Sequence, residues 1–239
     1  MTPAPGTPIG VALLGADRGR AGRFYGDLFG WTFPTSPTTG TTVAVGADGV
    51  PVATVLPAAE GGLVNGWLVT LRAPVDARER IIAAGGRVLD VAGSPMYAAD
   101  PAGATFAVAP STAGVPLPRP GLGRAAWFEN MTTDAAGSDR FYSEVFGLVP
   151  DLTGTAEGYA LLIADGSPVA GRLALPPGLA RVLGVRWMVY VANADVDRAA
   201  EQVAPLGGRV VVPPRDTPTG RVSAVSDPDG AVFTLLTRR

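Results

Sequence analysis

Glu129 is the residue of this chain best placed to move a proton. It lies in Ala-Trp-Phe-Glu-Asn-Met, a stretch that reads as a strand over 125–131. Strand alternation sets Trp127 and Met131 on its side and turns Ala126, Phe128 and Asn130 to the other. A second group, Arg-Trp-Met-Val-Tyr, places Arg186, Met188 and Tyr190 on one face and Trp187, Val189 and Val191 on the opposite one. Thr234, with Val232 and Leu236, falls on the same face of a later strand. Burial raises the pKa of a carboxylate and fits it for general base work near neutral pH. Tyrosine can donate a hydrogen bond, and arginine can orient a charged or polar ligand. Trp and Tyr stack on flat rings, while Met adapts its shape. Tyr97, on a strand further upstream, is another possible donor, and Arg221 a possible anion contact.

The composition removes many other chemistries. The 239 residues contain no Cys and no His. All 19 basic side chains are Arg, so there is no Lys either. Disulfides, thiolate catalysis, imidazole bases and Lys Schiff bases are therefore absent, and a serine has no histidine to activate it. Proton transfer falls to Asp, Glu, Tyr, water or the terminal amine. The net charge of −2 is scattered, with no basic stripe for nucleic acid. At 47% hydrophobic and 17% charged the chain can build real cores. No apolar run approaches the roughly 20 residues that span a bilayer. The opening residues do not read as a leader, so a cytoplasmic protein is expected.

The elements that must position these residues come in two copies. Asp17 to Gly30 (DRGRAGRFYGDLFG) is matched by Asp134 to Gly147 (DAAGSDRFYSEVFG). WLVTL from Trp67 is matched by WMVYV from Trp187, GGRV at 85–88 by GGRV at 207–210, and DPAGATF from Asp100 by DPDGAVF from Asp227. Four blocks in one order do not arise by chance. Each copy predicts a short strand, a helix capped by Asp17 or Asp134, further short strands, a second helix ended by the glycine pair, and two strands around the DPxG turn. The expected division is a loose arm over 1–8, module 1 over 9–108, a Pro- and Gly-rich linker over 109–123, and module 2 over 124–239. Trp67 and Trp187 are expected in the core, and the DPxG turns are read as structural.

These blocks together resemble the vicinal-oxygen-chelate superfamily, which includes glyoxalases, bleomycin-resistance proteins and extradiol dioxygenases. The resemblance covers about Ile9 to Thr237. It implies an α+β fold of two tandem βαβββ modules whose curled mixed sheets form a cleft. It also implies where a metal would bind: Ala12, Leu68 and Ala107 in the first copy, and Glu129, Met188 and Thr234 in the second. Only Glu129 is a good ligand for a hard cation, so neither a metal nor another cofactor is expected.

The cleft between the modules should then be lined by Trp127, Glu129, Met131, Arg186, Met188, Tyr190 and Thr234 from module 2. Module 1 should contribute Ala12, Leu14, Leu68, Thr70 and Ala107, with Tyr97 nearby. A small, flat, amphiphilic organic molecule of aromatic or polyketide type suits such a surface. Three readings follow. One is metal-independent binding for sequestration or carriage. Another is a metal-independent isomerase, cyclase or lyase of natural-product biosynthesis using Glu129 with Tyr190 or Arg186. The third is a metal enzyme whose ligands have moved to loop carboxylates. Because one chain supplies both modules, a monomer is expected alongside a homodimer.

Overall fold

The computed structural model describes residues 2–57, 63, 65–89, 96–110 and 121–238. Module 1 contains β1 (Pro8–Leu14), α1 (Arg18–Phe29), β2 (Thr42–Val45), β3 (Pro51–Leu56), β4 (Gly66–Arg72), α2 (Ala77–Ala83), β5 (Arg87–Leu89), β6 (Met96–Ala99) and β7 (Thr105–Ala109). Module 2 contains β8 (Ala125–Thr132), α3 (Ala135–Phe146), β9 (Val149–Asp151), β10 (Tyr159–Ala164), β11 (Ser167–Ala174), α4 (Pro177–Leu183), β12 (Arg186–Ala192), α5 (Val196–Val203), β13 (Arg209–Thr217), β14 (Gly220–Ser226) and β15 (Val232–Arg238). The expected linker falls largely outside the described residues.

Both long helices follow from their ends. The carboxylate of Asp17 accepts from the Arg20 N–H, and that of Asp134 from the Gly137 N–H. Gly30 and Gly147 close the helices in the left-handed conformation, at φ 72° and 73°. Phe24, Tyr25 and Leu28 bury one face of α1, and Phe141, Tyr142, Val145 and Phe146 one face of α3.

Each module builds one mixed sheet, in the order β2-β3-β1-β4-β7-β6-β5 and β13-β14-β15-β12-β8-β11-β10-β9. The centre of each is an antiparallel pair, β1 with β4 and β8 with β12, flanked on both sides by parallel partners. In module 2 the βαβββ order therefore runs twice, from β8 to β11 and from β12 to β15, with α4 inserted between. The grammar is denser than the sequence pattern suggested. Strands such as β9 have only three residues, too few for a period of two to show.

The two modules share a single core. Val11, Leu13 and Val69 of module 1 cluster with Phe128, Trp187, Val189 and Phe233 of module 2. All four repeated motifs meet in this seam, where the FYxxxFG block of each copy packs against the DPxG turn and the glycine pair of the other and bonds the Trp of its own. Tyr25 donates to Asp227 at 2.9 Å, and Tyr142 to Asp100 at 3.1 Å. The Trp67 indole donates to the Tyr25 hydroxyl at 3.1 Å, and Trp187 to Tyr142 at 2.7 Å. The second glycine of each GG pair lies under the opposite phenylalanine: a Cβ at Gly208 would stand 2.7 Å from Phe24, and one at Gly86 would stand 2.7 Å from Phe141. The DPxG turns do reverse the chain, through Gly103 N–H to Asp100 O and Gly230 N–H to Asp227 O. They also lock the modules together, a role their local pattern did not reveal. The end of the supposedly loose arm is tied in as well. Gly6 and Thr7 pair with the backbone of Arg72, and Gly6 abuts Leu148 and Phe146 of module 2.

With the helix-side faces turned towards each other, the other face of each sheet looks away from the seam. Ala12, Leu14, Leu68, Leu89, Tyr97 and Ala107 form one separate cluster. Met131, Leu175, Leu183, Met188 and Ala224, packed by Tyr190 and Val232, form another. The expected alternation therefore holds on β1, β8, β12 and β15. The expected single cleft between the modules does not. The space between them is filled by aromatic core, and each sheet curls around its own concave face.

Candidate functional site

Glu129 sits at the centre of the module 2 sheet. In register it stands opposite Met188 on β12 and Gly171 on β11. Its side chain is buried at 7% exposure, yet its carboxylate is fully engaged. Tyr159 donates to Oε1 at 3.0 Å, and Tyr190 donates to Oε2. The Trp127 indole donates in turn to the Tyr159 hydroxyl at 3.0 Å. Burial pushes the Glu129 carboxyl above its ordinary value, opposed by the donors Tyr190, Tyr159 and Trp127 and by the positive charge of Arg215. Burial and the neighbouring carboxylate push both phenols well up. They stay protonated and act as donors at neutral pH.

Tyr159 and Arg215 were missed as site residues by sequence reasoning, although one signal for the tyrosine was present. Gly171 interrupts the strand SPVAGRLA, and a glycine inside a strand marks close approach by another group. The group is the phenol of Tyr159, which crosses β11 there to reach Glu129.

Met131, Met188 and Thr234 share this concave face, as expected. The cavity between Met131, Tyr190, Arg215, Thr234 and the side chains of α4 amounts to about 30 Å³, room for a single water. Leu183 of α4 is one of its lining residues, with Leu179 packed alongside. Arg186 lies on the same face but opposite Met131, two residues along β12 from the partner of Glu129. It makes no ion pair with Glu129, whose oxygens the two phenols occupy. Leu68, Thr70 and Tyr97 belong to module 1. Leu68 and Tyr97 pack in its separate concave cluster and cannot line one cleft with Glu129. Thr70 is buried beside Ala107, its register partner on β7. Arg221 is taken up by Asp197 and Asp216.

Comparison with known proteins places this architecture. The model of the Glyoxalase/Bleomycin resistance protein/Dioxygenase superfamily matches residues 124–235. The anthracycline biosynthesis protein DnrV of Streptomyces peucetius is 34% identical, over 99% of this chain and 94% of its own length. This chain belongs to the Glyoxalase/Bleomycin resistance protein/Dioxygenase superfamily.

A second anthracycline biosynthesis protein, DauV of Streptomyces sp. (strain C5), is 32% identical over the same shares of the two chains. The Mn(II)-bound glyoxalase of Novosphingobium aromaticivorans has the same fold. It superposes with a TM-score of 0.64 at 17% identity, covering 98% of this chain and 83% of that one. Among the described residues no three His, Cys, Asp or Glu side chains gather to hold a metal. At the positions that the superfamily resemblance assigns to ligands, module 1 presents Ala12, Leu68 and Ala107. Module 2 presents one carboxylate already held by two phenols, a thioether and a threonine. That donor set does not fit a divalent ion of the hard or borderline class. Among the described residues no helix is long and apolar enough to cross a membrane.

Proposed function

We propose that this protein binds a small aromatic or polyketide-like molecule on the concave face of module 2, without a metal, in natural-product biosynthesis. The observation that carries this reading is the environment of Glu129. Where the resemblance puts a metal ligand, both carboxylate oxygens accept from tyrosines, and Trp127 braces one of them. Trp127 and Tyr190 offer ring faces, Met131 and Met188 a deformable floor, and Glu129 a hydrogen-bonding end. The two relatives named for anthracycline biosynthesis support the ligand class. The cavity, about 30 Å³, is far smaller than the several hundred Å³ that drug-sized ligands fill, so binding requires the side chains that line it to move. Sequestration or carriage is the role assigned to this binding.

The test is titration with an anthracycline-type polyketide in metal-free buffer, following Trp fluorescence and recovering the compound by chromatography. Saturable quenching, much reduced in Trp127→Phe, with the compound recovered unchanged, is the expected result. Absence of saturable binding, or binding that needs a divalent ion, would sink the reading. The raised pKa of Glu129, in contact with two phenols, favours one second reading, metal-free acid/base chemistry on the bound molecule. Conversion of the compound that survives a chelator and is lost in Glu129→Gln would establish it over simple carriage.

A further inference from the structure

The charged groups of the module 2 concave face do not balance. Glu129 is the acid of this site, and Tyr159 and Tyr190 already satisfy it. One guanidinium lines the hollow, and a second lies on the same face of the sheet. Arg215, on β13, lines the cavity beside Tyr190, Met131 and Thr234. Arg186 opens β12 on the face shared with Met188 and Tyr190, opposite Met131.

Among the described residues two arginines, Arg72 of module 1 and Arg186 of module 2, keep a buried Nε without a hydrogen bond, and only Arg186 lies on the strand face of Glu129. Arg20, Arg80, Arg124, Arg172 and Arg221 each pair with an aspartate. Arg186 has no acidic partner among the described residues, and its buried Nε makes no hydrogen bond at all. Partial burial, with no anion to offset it, lowers its pKa. Leaving a guanidinium N–H unsatisfied away from water costs stability, so a fold that keeps one there holds a donor in reserve. Its neighbours are suited to that. Gly184, at φ 68°, ends α4 next to the guanidinium, so the donor lies where α4, which lines the cavity through Leu183, joins the sheet. Two residues of strand separate Arg186 from the partner of Glu129, a span of about 7 Å along β12.

We propose that the module 2 site recognises an organic anion, with Arg186 pairing to a carboxylate or ionised phenol at the α4 end. The aromatic body then lies over Met188 towards Tyr190, and Arg215 adds long-range attraction. This rests on the binding reading above and narrows it to one charge class. Arginine suits the role because its planar fork meets a carboxylate through two parallel N–H donors.

The experiment compares anthraquinone-2-carboxylate with its methyl ester by isothermal titration calorimetry, on the full chain and on Arg186→Met. The acid should bind the wild type at least about tenfold more tightly than the ester. Arg186→Met should erase that preference, leave ester binding in place, and melt no lower than the wild type, because the buried Nε it removes has no hydrogen-bond partner among the described residues. Equal binding of acid and ester to the wild type overturns the anion assignment while leaving aromatic binding intact. A preference that persists in Arg186→Met overturns the role of Arg186. If neither compound binds, the binding reading fails together with this one.

Discussion

The phenol of Tyr159 lies directly across Gly171: a Cβ added there would stand 2.1 Å from the hydroxyl oxygen and 3.1 Å from Cγ of Glu129. The glycine is what lets a residue on β10 reach a carboxylate two strands away. Gly171→Ala should therefore displace Tyr159 and free Oε1 of Glu129. Overpacking of this kind costs about 1–3 kcal/mol, readable as a lower urea midpoint at unchanged slope. An unchanged midpoint would show that Tyr159 is not held there.

Glu129 should make stability fall with rising pH. Burial raises its pKa in the folded chain above the ordinary 4.5. The folded state thus holds the proton more tightly than the unfolded one. The resulting stabilisation is complete below the unfolded value and is lost as pH climbs through the folded value. Glu129→Gln carries no such proton. The Tm of the wild type relative to this variant should decline as pH rises above the ordinary carboxyl value of 4.5. A flat or rising difference would mean that the carboxylate is comfortable when charged.

The seam between the modules predicts an order of severity. The hydroxyl of Tyr142 serves Asp100, Asn130 and Trp187, whereas that of Tyr25 serves Asp227 and Trp67. Both side chains are fully buried. Each Phe substitution strands buried polar groups, at about 1–3 kcal/mol for each group left unsatisfied. Tyr142→Phe should destabilise more than Tyr25→Phe in guanidinium unfolding. The reverse order would show that the two seams are not built as their hydrogen bonds suggest.

Added Mn(II) or Zn(II) should leave the melting temperature where it is. An ion that binds only the folded state stabilises it by mass action, and the donors around Glu129 do not fit one. A saturable rise in Tm at millimolar ion, absent in Glu129→Gln, would place a metal at this carboxylate.

Much of the architecture was legible in the chain because it is written twice. The recurrence of FYxxxFG, the Trp-led strand, GG and DPxG marked two like modules and the superfamily resemblance. Alternation correctly separated Glu129, Met131, Met188 and Tyr190 from Phe128, Trp187 and Phe233. Periodicity reports which face a side chain takes, and that is a local property of the strand.

What each face meets is not local. Only the tertiary structure could show that the helix sides of both sheets fuse into one core, leaving two separate hollows rather than one between the modules. Only it could pair Tyr25 with Asp227 and Tyr142 with Asp100, partners some 202 and 42 residues apart. Likewise Tyr159, not Arg186, became the companion of Glu129, because strand order placed β10 and Gly171 on that flank. Residue type and spacing determined the chemistry available to this protein. Long-range packing, which no window of sequence encodes, decided which groups that chemistry brings together and left the Nε of Arg186 without a partner among the described residues.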